Sequence, residues 1–223
     1  MQTHSKMAIN QGVRKMLTLA MLSGTLAVLS MAAFAYESEL FSLQNRWEHT
    51  VTQMPANQRE AALEALASEA KVLAEANSDE ADVLVWQGIV LAAYARERGG
   101  LGALGDAKAA RDVLQRAITI DPNGYQGSAY VTLGALYDRV PGGLVGFGDS
   151  AKAEQMFQRA LEIRPDGIDV NYYYAAFLAE EGSDQAAREH AQRALEGSVR
   201  EGREASDNAL RQDARQLLDQ LSS

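Results

Sequence analysis

Apolar residues recur at spacings of three and four through nearly every segment between the glycine and proline breaks. No stretch alternates apolar and polar positions with β-branched enrichment, so the pattern predicts an all-α chain. Trp47, Val51 and Met54 mark one face of an opening helix that Pro55 ends. The next helix, over 58–76, is alanine-rich, with Leu63, Leu66, Val72 and Leu73 directed inward. Asn77-Ser78-Asp79 breaks it and offers a cap to a helix over 80–98. Further helices follow over 106–120, 127–140, 149–163, 168–181 and 184–196. Asp121-Pro122 and Arg164-Pro165 close two of them, because proline disfavours helix in the residue before it. A last helix over 205–221 is charged on most faces and shows Leu210, Ala214, Leu217 and Leu221 on one, the pattern of a terminal cap.

The pattern repeats. Gly99-Gly100-Leu101 with Gly105-Asp106 returns 43 residues later as Gly142-Gly143-Leu144 with Gly148-Asp149. The same offset carries Tyr94 onto Tyr137, Gln115-Arg116-Ala117 onto Gln158-Arg159-Ala160, and Pro122 onto Pro165. The Gln-Arg-Ala triplet occurs again at Gln192-Arg193-Ala194, now 34 residues on, which is the period of a two-helix repeat. The chain therefore reads as a helix-pair array with glycine-rich loops inserted in two units.

Where the units line up, the chain resembles the tetratricopeptide repeat (TPR) family. The resemblance rests on Leu133-Gly134 and Tyr137 in a first helix, on Ala153, Phe157 and Ala160 in a second, and on the closing Pro165. The preceding unit matches at Tyr94, Ala110, Leu114, Ala117 and Pro122, with Leu91 standing where the small glycine belongs. The following unit matches at Ala175, Leu178, Ala187, Ala191 and Ala194, without a closing proline. The resemblance implies a right-handed superhelical stack of antiparallel helix pairs with a concave binding face, and it implies no reaction. The expected organisation is an N-terminal helical cap or degenerate repeat at 36–79, three TPR-like pairs at 80–197, and a C-terminal capping helix at 198–223.

Residues 1–35 stand apart. Lys6, Arg14 and Lys15 precede an apolar stretch from Met16 to Ala32, and Ala33-Phe34-Ala35 is a small-x-small signal. This reads as a secretory signal peptide cleaved after Ala35, with an uncleaved membrane anchor as the alternative. Cleavage implies a periplasmic protein without membrane attachment, and loss of three basic residues takes the net charge from −9 to −12. So acidic a chain is repelled by phosphate backbones and anionic lipids, so nucleic acid is not an expected partner. The chain has no cysteine, which suits an exported protein with an adequate core and removes thiolate chemistry.

Candidate chemistry is sparse. Gly143 to Ser150 has the spacing of a phosphate-binding loop, but Asp149 occupies the lysine position and the loop follows a helix. Asp106 and Asp149 are better read as N-caps of the helices they precede. The loop residues Leu101, Leu104, Leu144, Val145 and Phe147 either tuck back into the stack or form a sticky edge. His49 and His190 lie far apart, without metal-ligand spacing, and His190 reads as part of a solvated face. Ser68 and Lys71 have a Ser-x-x-Lys spacing on an ordinary alanine-rich helix, without the partner motifs. No catalytic, metal-binding or cofactor-binding set emerges.

The best candidate surface is the start of the helix at 168–181. By alignment of the units, Asp169, Tyr172 and Tyr173 face the groove, Tyr174 faces the packing, and Asp138 and Arg139 continue the groove in the preceding unit. The reading is a non-enzymatic periplasmic scaffold that binds a protein or peptide partner, its oligomeric state open. The rival is a small-ligand-binding accessory protein, similar to the periplasmic helical-repeat components of TRAP-type solute transporters. A closed cavity between the tyrosine helix and the glycine-rich loops would favour the rival, and a shallow open groove would favour peptide binding.

Overall fold

The computed structural model describes residues 36–100 and 102–222, so the expected signal peptide, its cleavage site and Leu101 lie outside the described residues. Residues 42–223 form one compact unit, and the few described residues before Ser42 fall outside it. The first helix, α1, runs over 36–52. It is followed by α2 (Ala56–Ala76), α3 (Ala81–Arg98), α4 (Ala103–Ile120), α5 (Ser128–Arg139), α6 (Ser150–Ile163), α7 (Ile168–Glu180), α8 (Asp184–Glu196) and α9 (Glu204–Leu221). No strand occurs among the described residues. α3 packs on α4, α5 on α6 and α7 on α8, and the first helices of successive pairs also touch, α3 on α5, α5 on α7 and α7 on α9. This is an all-α helical-repeat solenoid.

Within each pair a small residue on the first helix admits a bulky one from the second. A Cβ on Gly134 would stand 2.6 Å from Phe157 Cε1, and one on Gly88 would stand 2.4 Å from Leu114 Cγ. Leu114 and Phe157 are both fully buried. Gly88, rather than the position of Leu91, is therefore the small residue of the first pair. The second helices keep the 43-residue offset, whereas the two glycines lie 46 apart, because α3 runs about one turn further than α5 before its loop.

That extra turn separates the two glycine-rich stretches. In the first, helix resumes at Ala103, so Leu104 and Asp106 lie within α4 instead of in a loop. Asp106 caps nothing there and instead pairs with Arg98 at 3.0 Å. In the second, Pro141 takes the place that Arg98 holds in the first and forces Val140 into extended backbone, which ends α5. The chain then loops back so closely that a Cβ on Gly146 would sit 2.0 Å from the Pro141 carbonyl oxygen and one on Gly148 1.9 Å from that of Val140. Asp149 caps α6 as expected, its carboxylate accepting from the Lys152 amide at 3.1 Å.

Two local expectations fail nearer the start. Val72 is 66% exposed, because the buried stripe of α2 passes through Leu63, Leu66, Ala70 and Leu73 at three- and four-residue steps and leaves Val72 off it. Asn77 serves the helix it ends, its amide donating to the Leu73 carbonyl at 2.9 Å, and α3 starts without a side-chain cap.

Candidate functional site

The first helices of the pairs form the inner side of the stack, and its two ends differ in chemistry. At the end where α7 and α9 begin, charge is buried. Asp169, expected in the groove, is only 5% exposed. Its carboxylate accepts from Arg164 at 2.7 and 2.8 Å and from Arg200 at 2.7 Å. Burial alone would raise this carboxyl, but Arg200, Arg164 and Arg203 hold it below its ordinary value. Arg200 also grips the fully buried Asp207 through its guanidinium, with its backbone amide donating to the same carboxylate at 2.9 Å. The network reaches α1, where Glu48 accepts from the Ser206 amide at 2.7 Å and faces Arg203 at 3.5 Å. Arg203 lies over the rings of both Trp47 and Trp86, 4.6 and 5.1 Å from their centroids. With both carboxylate oxygens engaged in this way, Asp169 is a fastener for α7 and α9 and is closed to an incoming partner.

The opposite end is open. An open cleft of about 400 Å³ lies between the end of α5, the inner face of α7 and the second half of α9. Arg139 stands at its rim, pinned between Asp138 at 3.0 Å and Glu180 at 2.8 Å. Tyr172 and Ala176 from α7 face Asp213 and Leu217 from α9. Burial, with Asp213 and Tyr173 adding to it, pushes the Tyr172 phenol up to about 12. Burial also raises the carboxyls of Asp138 and Asp213, against the nearby Arg139 and Arg96 respectively. Tyr172, Asp138 and Arg139 thus gather at one end of the stack. Tyr173 meets the Tyr172 ring edge-on at 5.3 Å and packs with Met156 and Ile163 against the buried cluster of Tyr130, Val131, Ala160 and Val170. Tyr174 is buried against Phe157 and Phe177.

The loop after α5 divides its apolar residues. Phe147 turns inward, edge-on to Tyr137 at 5.7 Å and under the Arg111 guanidinium at 4.5 Å. Leu144 is fully exposed and Val145 is 58% exposed. The loop starts one residue after Arg139, which lines the cleft.

Four features escaped the sequence. Asp207, Asp213 and the α9 side of the cleft carry only the surface-like charge pattern of a terminal cap, and Arg200 and Arg203 give no local signal because their partners are remote in sequence. His190 is half-buried instead of solvated: its ring meets Tyr174 edge-on at 4.7 Å, and its Nδ1 lies 2.8 Å from Asn171 Oδ1. The Asn171 amide nitrogen already donates to Pro165 and Gly167 carbonyls, so the imidazole is the donor in this bond. Gly124 to Gly127, including Tyr125 and Gln126 at φ 51 and 55, form a left-handed turn held by the Asp121 carboxylate. It borders a second surface depression of about 670 Å³ with Arg159 and Ile163.

The TRAP transporter T-component family model matches residues 42–223. The chain belongs to that family. This T-component also superimposes on the crystal structure of a thermophilic TPR protein from Thermus thermophilus with a TM-score of 0.56 at 18% identity, over 86% of this chain and 95% of that one. At that identity the likeness shows the fold, a TPR stack. No curated protein matches the T-component. No helix among its described residues is long and apolar enough to cross a membrane.

Proposed function

We propose that the protein is a periplasmic, non-enzymatic accessory component of a TRAP-type transporter that holds another protein of that system in the cleft between α5, α7 and α9. The observation that carries this reading is the family match joined to an open cleft on the inner side of the stack. The chemistry of the cleft favours holding over turnover. Its arginine is locked between two carboxylates, and the Tyr172 phenol, raised to about 12, neither releases nor accepts a proton near neutral pH. The exposed Leu144 and Val145 add an apolar contact for the same partner. Export to the periplasm rests on the signal-like segment before Tyr36 together with the transporter family.

The test is a photo-crosslinking residue at position 172, introduced in the native host. It should attach the protein to a subunit of a TRAP transporter, while the same residue at exposed Val72 should not. Equal labelling from both positions, or adducts to unrelated proteins alone, overturns the reading. The small-solute reading keeps one argument, since the cleft volume falls within the range of ligand sites. Native mass spectrometry separates the two: a small adduct lost in Tyr172→Ala supports solute binding, and a protein adduct supports the partner.

A further inference from the structure

Resting on the reading above, we infer that the cleft receives a segment of a partner protein through a lysine or arginine side chain, its head at Asp213 and its aliphatic stem along Ala176 and Leu217. Two carboxylates line the cleft, Glu180 at its rim and Asp213 opposite, and Asp138, on which Glu180 and Glu181 act, stands beside Arg139. Arg188 stands at the border of the cleft, where it donates to the Leu221 carbonyl at 3.1 Å. Arg139 is consumed by Asp138 and Glu180, and Arg96 acts on Asp213 only through space. The residues that line the cleft bring two carboxylates, Glu180 and Asp213, against one guanidinium, Arg139, in a chain whose overall charge is −9. An acidic occupant is disfavoured there, and an apolar one leaves Asp213 without a direct counterion.

Geometry narrows the occupant further. Asp213 makes no hydrogen bond or ion pair of its own among the described residues, although burial already strains its charged form. It lines the cleft together with Tyr172, whose hydroxyl keeps its proton and offers an oxygen to a cation. Leu217, Ala176 and Ala179 supply the apolar wall that a methylene stem covers while its charged head stays at the polar end. The cleft is open, so a side chain carried on a longer backbone can enter without unpacking the helices.

Two synthetic octapeptides, identical but for a central Lys or Glu, provide the probe in an amide-resolved NMR titration of the whole exported protein. The Lys peptide should shift Ala176, Asp213 and Leu217, and its dissociation constant should rise about tenfold in Asp213→Asn, as expected for loss of a charged partner. Asp213→Lys should reverse the preference toward the Glu peptide, a gain that a misfolded variant cannot produce. Equal binding of both peptides, no shift with either, or equally tight binding of N-acetyl-lysine methylamide alone overturns the inference. If the Lys peptide fails while the crosslink at position 172 still reaches a transporter subunit, the inference falls and the accessory role stands.

Discussion

The ring of Phe157 occupies the space that Gly134 leaves by having no side chain, and a Cβ there would come within 2.6 Å of it. The packing of α5 on α6 is thus set by the absence of one carbon. Gly134→Ala should force Phe157 off its position and destabilise the protein by about 1–3 kcal/mol, the usual cost of overpacking. Thermal melts should register this as a fall of about 2–4 °C for each kcal/mol. An unchanged melting temperature would mean that Phe157 does not need this space.

Asp169 and its arginines make a second prediction. Removing one member of a buried ion network leaves the others uncompensated, so Asp169→Asn should cost about 3–5 kcal/mol in urea unfolding. Arg200→Met in the same background should cost less than the two single changes added together, because the pair is coupled. Strict additivity would show that Asp169 and Arg200 do not act as a unit.

The same carboxylate makes stability depend on acid. Its folded pKa is lowered, so its contribution is complete above the unfolded value of ~3.9 and is lost as pH falls through the folded value below that. Unfolding free energy measured from pH 5 downward should therefore drop less steeply in Asp169→Asn than in the parent.

His190 acts in a higher window. Burial lowers its pKa, with Arg193 assisting, so the unfolded chain binds a proton more readily than the folded one. Stability should decline as pH falls through ~6.5, the ordinary histidine value. His190→Gln, which keeps a donor for Asn171, should flatten the stability profile between pH 7 and 5, and an unaltered profile would remove His190 from the explanation.

The loop tip separates binding from folding. Leu144→Ser touches nothing packed and should change stability by no more than about 0.5 kcal/mol, while weakening capture of the transporter subunit. Phe147→Ala should cost about 1–2 kcal/mol, since its ring packs on Tyr137 and carries Arg111. Equal stability losses in the two variants would contradict the division of the loop into an anchor and a tip.

Legibility in the sequence followed the range of the interaction. Apolar spacing and proline breaks act within a turn or two, and they located the helices and the repeat. Gly134 and Phe157 were legible as packing residues of one unit, but the matching Gly88 was missed for Leu91, because the extra turn of α3 breaks the constant 43-residue offset there. Asp106 and Asp149 looked alike within their glycine-rich stretches, yet only Asp149 caps a helix; the deciding residue was Pro141, which stands where the first stretch has Arg98. Asp169 was misplaced because groove alignment supplies a direction but not the partners waiting there. Arg200 lies 31 residues away and Glu48, joined to the same network, on another helix altogether, and charges at surface spacing carry no mark of a distant counterion. The same limit hid the α9 wall of the cleft.

A stack of repeats ordinarily loses structure from its ends, each unit held only by the next. Here Glu48 on α1 reaches the Ser206 amide on α9, a bond between residues 158 apart that joins the early and late helices directly. Neither the Glu48 turn of α1 nor the start of α9 is then free to open alone, because opening either exposes the charges that hold the other. The unit from Ser42 onward should unfold in a single cooperative step, with the buried amides of its early and late helices sharing one opening free energy, where an untied array of the same length would melt unit by unit.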